Sequence, residues 1–320
     1  MSRWTLIWAR IFVALVAASM VSPPLRADDG LRVVASVAPV HSLVAGVMAG
    51  VGEPVLILRG YGSPHGYQMR PSEARALAAA SVVFWIGESL ETFLVKPLGT
   101  LAGDATVISL IETEGLALLP ARAGGVWDDR HDHEGAGDRA ADLARTDPHV
   151  WLAPANARRM VAAIARALSA ADPDRTAVYA ANRDAWDARI ADLDERLDAA
   201  LAPVRAVPYV VFHDAFHYFE DRYGLRALGA VTVSPDRRPG PRRLTALRDR
   251  IQTLRARCAF TEPQFESPLI ETIIEGTGAA LGVVDPLGAA IAPGPNAYFE
   301  MMEANARALV TCLARAQRSE

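Results

Sequence analysis

The chain has 320 residues, of which 51% are apolar and 22% are charged, and its formal net charge is −4. This length and apolar content are enough for two domains that each bury a hydrophobic core, which excludes a disordered, fibrous or disulfide-stapled small protein. Because the charges are spread along the chain without a long basic run, nucleic acid is not an expected partner.

The first 27 residues have the pattern of a secretory signal peptide. Arg3 and Arg10 precede an uncharged apolar stretch at 11–21, and a small residue, Ala27, offers a cleavage point. The apolar stretch is shorter than the about 20 residues that span a bilayer, although a short membrane anchor is the alternative. Cleavage near Ala27 removes three arginines and no acidic residue, so the formal charge becomes −7. We therefore expect an exported protein.

Short β-branched segments alternate with helical patterns along the rest of the chain, which is typical of parallel βα units. Four predicted strands precede residue 110 and four follow residue 208, so we predict an α/β fold with two lobes, each containing a parallel four-stranded sheet. The predicted strands are Arg32–Val37, Pro54–Leu58, Ser81–Ile86, Ala105–Ser109, Tyr209–Phe212, Leu225–Thr232, Arg257–Thr261 and Leu281–Val284.

A polar loop at about 123–146 and a long helical region at 154–201 separate the two sets of strands. Pro173, with Asp172 as the N-cap before it, divides the helical region into two helices. The second helix spans roughly 40 Å at ~1.5 Å per residue, which is longer than a βα crossover needs. Its apolar residues recur at helical spacing and are expected to pack against both lobes: Val178, Trp186, Ile190, Leu193 and Leu197.

The predicted domain organisation follows from these elements. A signal peptide occupies 1–27, an N-terminal lobe 28–173, a rigid linking helix 174–203 and a C-terminal lobe 204–320. We expect a metal or ligand site in the cleft between the lobes, because ligands of open α/β sheets bind outside the carboxyl ends of the strands.

The two cysteines, Cys258 and Cys312, stand at the start of a predicted strand and near the end of the last helix. In an oxidising compartment an isolated pair usually forms a disulfide, which would tie the last helix to its own lobe. Two buried free thiols or a metal-binding pair are the alternatives, but neither cysteine has another Cys or a His at ligand spacing.

The histidines are the candidate functional residues of this sequence. No glycine-rich nucleotide loop follows the first strand, and no G-x-S-x-G motif is present. His65 lies in a Gly/Pro-rich loop after the second strand, His149 lies where the polar loop ends, and His213 follows the first strand of the C-terminal lobe. Asp285 stands at the carboxyl end of the last strand. Three imidazoles and one carboxylate suit a tetrahedral site for a borderline-soft dication such as zinc.

At these residues the sequence resembles the metal-binding solute-binding proteins of ABC importers, cluster A-I, and among them the periplasmic zinc-binding branch. The resemblance runs from about Val33 to Cys312. The segments that carry it are Ser63-Pro64-His65 with Arg70-Pro71-Ser72, Asp147-Pro148-His149-Val150-Trp151-Leu152, Phe212-His213-Asp214-Ala215-Phe216, Thr261-Glu262-Pro263-Gln264-Phe265 and Asp285-Pro286-Leu287-Gly288.

The resemblance implies a fold, a site and a function. It implies two βα lobes joined by a stiff helix, a disulfide between Cys258 and Cys312, and a metal bound in the cleft. The implied ligands are His65, His149 and His213, with Asp285 or a water completing the shell. The implied function is that of a non-enzymatic carrier that captures Zn²⁺ in the periplasm and delivers it to the membrane permease of an ABC importer. We expect the protein to be a monomer.

Zinc is preferred to manganese because of His213. The resemblance implies that manganese-binding relatives place a carboxylate at this position, and imidazole suits zinc better than manganese. Pro64 stands where some zinc-binding members have a Glu, which favours Asp285 as the fourth ligand. A manganese or iron carrier is one alternative, and a zinc hydrolase with three His ligands and an open position is another. The absence of an H-E-x-x-H motif argues against the hydrolase.

The remaining polar residues receive weaker assignments. His131 and His133 in the polar loop either bind auxiliary metal or are solvated. His217 is expected at the surface or cleft edge, and His41 is expected to be a cap or packing residue, with a place in the cleft as the alternative. Three residues are possible orienting groups for the imidazoles: Glu262, Arg237 and Tyr67.

Overall fold

The computed structural model describes residues 30–122, 143, 145–232, 240–265 and 268–317. The predicted signal peptide, Arg237, His131 and His133 lie outside the described residues. Residues Leu31–Glu320 form one compact unit. The predicted boundaries between lobes and linking helix therefore stay predictions.

The N-terminal sheet is parallel, with the strand order β2-β1-β3-β4. Its inner strands β1 and β3 are short runs of apolar residues, as expected where helices cover both faces of a parallel sheet. The elements in chain order are β1 Val33–Ala35, α1 Ala38–Val47, β2 Val55–Leu56, α2 Pro71–Ala78, β3 Val82–Trp85, α3 Thr92–Leu101, β4 Thr106–Ser109 and the 3₁₀ turn Leu110–Glu112.

Two helices follow the polar loop. A 3₁₀ turn at Val150–Leu152 leads into α4 Pro154–Ala171, and the turn Pro173–Arg175 separates α4 from the long helix α5 Thr176–Leu201. The 26 residues of α5 span about 39 Å, so the predicted long helix is confirmed.

The side chains of this region differ from the prediction in two places. Val178 is 41% exposed, and its neighbour Tyr179 takes the buried position, whereas the other predicted apolar residues of α5 are buried. Asp172 occupies the predicted N-cap position, but its side chain makes no capping bond. Instead its carboxylate accepts hydrogen bonds from Arg175 and from the hydroxyl of Tyr179. Asp172 thus keeps the predicted N-cap position, while the hydrogen bonds of its carboxylate go to these two side chains.

The C-terminal sheet is also parallel, with the order β6-β5-β7-β8. The confirmed fold class is thus α/β with two parallel four-stranded sheets, and every predicted strand overlaps an observed one. The elements are the turn Ala202–Val204, β5 Tyr209–His213, α6 His217–Tyr223, β6 Ala227–Thr232, α7 Pro241–Thr253, β7 Cys258–Thr261, α8 Pro268–Ile274, β8 Ala280–Val283 and α9 Ala297–Gln317.

One hydrophobic cluster runs through both sheets and the linking helices. It includes Phe84 beside the N-terminal sheet, Ile190 of α5 and Phe219 of the C-terminal half. Because α5 shares this core with both halves, it is a rigid connection between them. Cys258 and Cys312 form a disulfide with an S–S distance of 2.02 Å, which confirms the predicted pairing and ties α9 to β7. None of the helices in the described part of the chain has both the length and the hydrophobicity needed to cross a membrane.

Candidate metal centre

Three imidazoles from distant parts of the chain meet at one point. Ligand nitrogens of His65, His149 and His213 all lie within 4.8 Å of one another. The ring centroids are 5.1 Å apart for His65–His213 and His149–His213, and 5.7 Å apart for His65–His149. Nε2 of His65 is buried and has no hydrogen-bond partner within the described residues. A buried imidazole nitrogen without a partner, on a ring beside two other imidazoles, is typical of a metal ligand.

Strand and turn geometry places each histidine. His213 ends β5, a fully buried central strand, so the strand carries it to the carboxyl edge of its sheet. His149 precedes the 3₁₀ turn Val150–Leu152, whose three residues are buried and fix the backbone before α4 begins. His65 follows β2, in the loop that leads to α2, and is half-buried. The two buried imidazoles come from different halves of the chain, so the site depends on both halves.

A carboxylate holds each of the two buried imidazoles. Nδ1 of His149 lies 2.7 Å from Oδ1 of Asp147, which also accepts the backbone amide of His149 at 3.0 Å. Nδ1 of His213 lies 3.4 Å from the carboxylate of Glu262. An imidazole that donates through Nδ1 keeps its lone pair on Nε2, and this carboxylate–histidine arrangement is typical of metal sites.

The register of the C-terminal sheet explains why Glu262 meets His213. Strands β5 and β7 are neighbours, with Tyr209 beside Cys258 and Val211 beside Phe260. Two residues further in the same register, His213 at the end of β5 lies beside Glu262, the residue that follows β7. Glu262 is therefore the predicted orienting residue that the structure puts in place. The orienting role of Asp147 was not predicted, although a carboxylate two residues before the histidine was visible in the sequence.

Burial and neighbouring charges set the protonation of the site. Burial, and then the neighbouring imidazoles, hold the pKa of His65 and of His149 well below the ordinary histidine value. Burial also lowers the pKa of His213, but the carboxylates led by Glu262 raise it above the ordinary value. Burial raises the pKa of Asp147 to about 7, against the hydrogen bond from His149 and the charge of Arg122. Two imidazoles are thus neutral and able to bind a cation at neutral pH.

Asp285, the fourth predicted ligand, is not a member of the histidine group. Its Oδ1 accepts hydrogen bonds from Gln264 at 2.7 Å and from the backbone amides of Leu287 and Gly288 at 3.0 Å, and its Oδ2 accepts the amide of Ala289 at 2.6 Å. These contacts shape the loop after β8, and its ligand role stays a prediction.

Other predicted site residues have different partners. The hydroxyl of Tyr67 donates to Glu73 at 2.8 Å, in the first turn of α2, and its orienting role for an imidazole stays a prediction. His41 is buried in α1, with Nε2 3.0 Å from the carbonyl oxygen of Pro54, which fits a packing role. His217 is only 6% exposed, with Nδ1 3.8 Å from Oδ2 of Asp147, so it does not lie at the surface, and the other predicted position, at the cleft edge, stays a prediction. It is buried because α6 packs against the segment that carries His149.

Two of the imidazoles are neutral, and the third, His213, can lose its proton to a metal ion. Three imidazole nitrogens suit a borderline-soft dication more than a hard one. The carboxylates of Asp147 and Glu262 contact Nδ1 of His149 and His213. From there they can offset the charge of a dication without binding it directly. The arrangement can therefore bind a metal ion.

Comparison with known sequences gives one family. The family model described as ZnuA, zinc-uptake complex component A periplasmic, matches residues 33–312. A high-affinity zinc uptake system protein ZnuA of Brucella suis biovar 1 is 41% identical over 307 residues, covering 88% of this chain and 92% of the relative. The protein of the same description from Paracoccus denitrificans is 37% identical over 321 residues, covering 91% and 94% of the two chains.

Solved structures share the fold. A crystal structure of ZnuA matches with a TM-score of 0.74 and 23% identity, covering 88% of this chain and 99% of that one. The SBP FpvC from Pseudomonas aeruginosa, solved in complex with Mn²⁺, matches with a TM-score of 0.74 and 24% identity, covering 91% and 99%. At these identities the structures report on the fold alone.

Proposed function

The chain belongs to the ZnuA family of periplasmic zinc-uptake components, and we propose that it is the zinc-binding component of an ABC-type zinc uptake system. In this role it captures Zn²⁺ in the periplasm and delivers it to the membrane permease of the importer. It is a transport protein and not an enzyme. Residues 1–27 act as a signal peptide that is cleaved near Ala27, and the mature protein is a monomer without affinity for nucleic acid.

The observation that carries this proposal is the meeting of His65, His149 and His213 within 4.8 Å. These three nitrogens bind the zinc ion, and Asp147 and Glu262 keep two of the rings in the binding orientation. Since the ligands come from both halves of the chain, binding and release of zinc depend on small movements of one half against the other. The shared core with α5 keeps those movements small.

Metal analysis of protein purified from the periplasm tests the proposal directly. We expect about one equivalent of zinc, because three imidazoles and one further ligand complete a single tetrahedral shell. Competition between Zn²⁺ and Mn²⁺ at equal free concentrations is expected to favour zinc. Purified protein that contains manganese or iron, or no metal, would contradict the proposal.

The substitution His213→Glu is expected to move the metal preference toward manganese. A carboxylate in place of an imidazole makes the ligand set harder, and Mn²⁺ prefers oxygen ligands. It also places a second carboxylate within reach of Glu262, so the two carboxylates repel each other until a cation is bound. The measurement is the ratio of zinc to manganese dissociation constants. An unchanged ratio would show that position 213 does not select the metal.

Acidification is expected to weaken zinc binding. His213 has the raised pKa, so it takes up a proton first as the pH falls, whereas His65 and His149 stay neutral to much lower pH. Below the pKa of His213 zinc must displace one proton, so the dissociation constant rises about tenfold per pH unit. Isothermal titration in buffers of different ionisation enthalpy counts the released protons. A dissociation constant that is the same at about pH 8 and about pH 6 would contradict the assignment.

The substitution Asp285→Asn separates a loop-shaping role from a ligand role. The carboxylate already accepts four hydrogen bonds, and an amide cannot accept all of them. We expect the free energy of unfolding to fall by about 1–3 kcal/mol while the zinc affinity changes by less than about tenfold. Urea denaturation and zinc titration measure the two quantities. A loss of zinc affinity beyond about a hundredfold would instead establish Asp285 as the fourth ligand.

A further inference from the structure

The base of the polar loop is a short antiparallel pairing. Pro120 and Thr146 form an isolated bridge, the amide of Ala121 donates to the carbonyl oxygen of Arg145 at 2.7 Å, and the amide of Asp147 donates to that of Leu119 at 2.9 Å. This pairing holds residues 119–122 beside the segment that leads to His149. The position of Arg122 is thereby linked to one of the histidines.

Helix α6 of the C-terminal half packs against the same base. The hydroxyl of Tyr218 accepts the backbone amide of Leu119 at 3.0 Å and donates to the carbonyl oxygen of Asp147 at 2.9 Å. One side chain of α6 thus bonds both strands of the base. The segment before His149 and the helix after His213 are therefore in direct contact.

Arg122 extends this contact into the C-terminal half through two buried carboxylates. Its Nε lies 3.1 Å from both oxygens of Asp214, its Nη2 makes a further contact with Asp214, and its Nη1 lies 2.8 Å from Oε2 of Glu220. The guanidinium is 13% exposed and the two carboxylates 5% and 4%. Glu220 also accepts the hydroxyl of Tyr209 at 3.2 Å, at the start of the strand that ends in His213.

The geometry of these contacts is directional. A guanidinium is planar and rigid, so its hydrogen bonds to the carboxylate of Asp214 fix the orientation of that group, whereas Glu220 is held by an ion pair at 2.8 Å. Asp214 is the residue after His213, and Asp147, in the strand paired with Leu119, holds the ring of His149. Arg122 therefore joins the backbone that bears His213 to the segment that bears His149.

We propose that Arg122 is a positioning residue for the metal centre, which sets the distance and orientation of His213 relative to His149 and so tightens zinc binding. The proposal rests on the proposed function, because it concerns the same three histidines. Its physical basis is preorganisation: ligands held in place before the ion arrives lose less freedom when it binds. Arg122 touches no metal and acts through Asp214 and the loop base.

Two variants test the proposal. Arg122→Lys keeps the positive charge but cannot bond two carboxylates in the same fixed plane. The triple variant Arg122→Met with Asp214→Asn and Glu220→Gln removes the contacts without leaving the guanidinium or either of its two carboxylates unpaired, which protects the fold. In both we expect the zinc dissociation constant to rise about tenfold, as for the loss of outer groups that orient ligands.

Cobalt reports on the ligand geometry itself. Co²⁺ bound by the parent protein is expected to show the intense visible absorption of a tetrahedral site, and both variants are expected to show it shifted or weakened. The thermal midpoint of each variant without metal is measured alongside. A purely structural role would lower that midpoint and leave the cobalt spectrum and the zinc dissociation constant unchanged.

The matched control is another bidentate arginine pair. Nε and Nη2 of Arg158 in α4 lie 2.7 Å from the two carboxylate oxygens of Asp187 in α5, at an exposed position. The double variant Arg158→Met with Asp187→Asn is expected to bind zinc within about twofold of the parent, since exposed pairs contribute little.

The outcomes separate the two proposals. If the parent binds zinc and both Arg122 variants bind it within about twofold with the parent's cobalt spectrum, the positioning role is wrong and the proposed function stands. If the parent does not bind zinc, the proposed function fails and the positioning role fails with it. If the triple variant does not fold, Arg122→Lys decides, because it retains the charge balance.

Discussion

Replacing any one of His65, His149 and His213 by alanine is expected to weaken zinc binding by about a hundredfold or more. Each imidazole supplies one of three protein nitrogens that lie within 4.8 Å of one another, and the loss of one leaves a shell that water must complete. For His149 and His213 the loss also leaves the buried carboxylates of Asp147 and Glu262 without their histidine partners. Competition titration against a chelator of known zinc affinity measures the effect.

The control for these variants is His41→Ala. His41 is buried to a similar degree, but it lies in α1 and its Nε2 contacts the carbonyl oxygen of Pro54. This variant is expected to lose stability and to bind zinc within about twofold of the parent. An unchanged zinc affinity in all three site variants would show that these histidines are not the metal ligands.

The same variants are expected to lose the stabilisation that zinc confers on the parent. A ligand that binds only the folded state stabilises it by about 2.7 kcal/mol at a hundred times its dissociation constant. The parent's thermal midpoint therefore rises with zinc concentration, and that of each site variant does not rise over the same range. This measurement is independent of the chelator.

Removing the disulfide is expected to lower the free energy of unfolding by about 4 kcal/mol. The bond closes a loop with a sequence separation of 54, and a cross-link of this length removes much of the freedom of the unfolded chain. Urea denaturation of the double variant Cys258→Ala and Cys312→Ala measures the change. The parent treated with reductant serves as the matched control, because it lacks the bond and keeps both side chains.

Zinc binding separates this effect from damage to the site. Cys258 begins β7, whereas Glu262 follows its far end, so the folded double variant is expected to retain its zinc affinity within about threefold. A loss of stability below about 1 kcal/mol in both the double variant and the reduced parent would show that packing alone holds α9 in place.

The fold was predictable from local patterns. Buried parallel strands are short apolar runs, so segments such as Val82–Trp85 and Tyr209–His213 were visible without any knowledge of their neighbours. The break at Pro173 was visible because proline favours the first turn of a helix, which predicts that a new helix begins there. Val178 shows the limit of such patterns, because it was predicted to be buried and is 41% exposed. Helical spacing identifies the apolar face of a helix, but which residues at the edge of that face are buried depends on how far the neighbouring elements cover it.

The metal centre was only partly predictable. His65, His149 and His213 were singled out by their positions next to strand ends and turns, and the structure places them together. Their ligand role stays a prediction. Asp285 had the same signal, but backbone amides of its own loop hold its carboxylate, and no pattern in the sequence reports such bonds. His217 was assigned to the surface or the cleft edge because the sequence does not show what packs on α6.

The sequence by itself therefore determined the α/β class, the two parallel sheets, the long linking helix and the three histidines, because each depends on local propensity or on the rule that ligands gather at strand ends. Only the tertiary structure decided which acids hold the imidazoles, and that Arg122 joins the two segments that bear His149 and His213. The physical reason is that hydrogen bonds and ion pairs are directional and short. Residues 92 positions apart, such as Arg122 and Asp214, meet only after the whole core has packed.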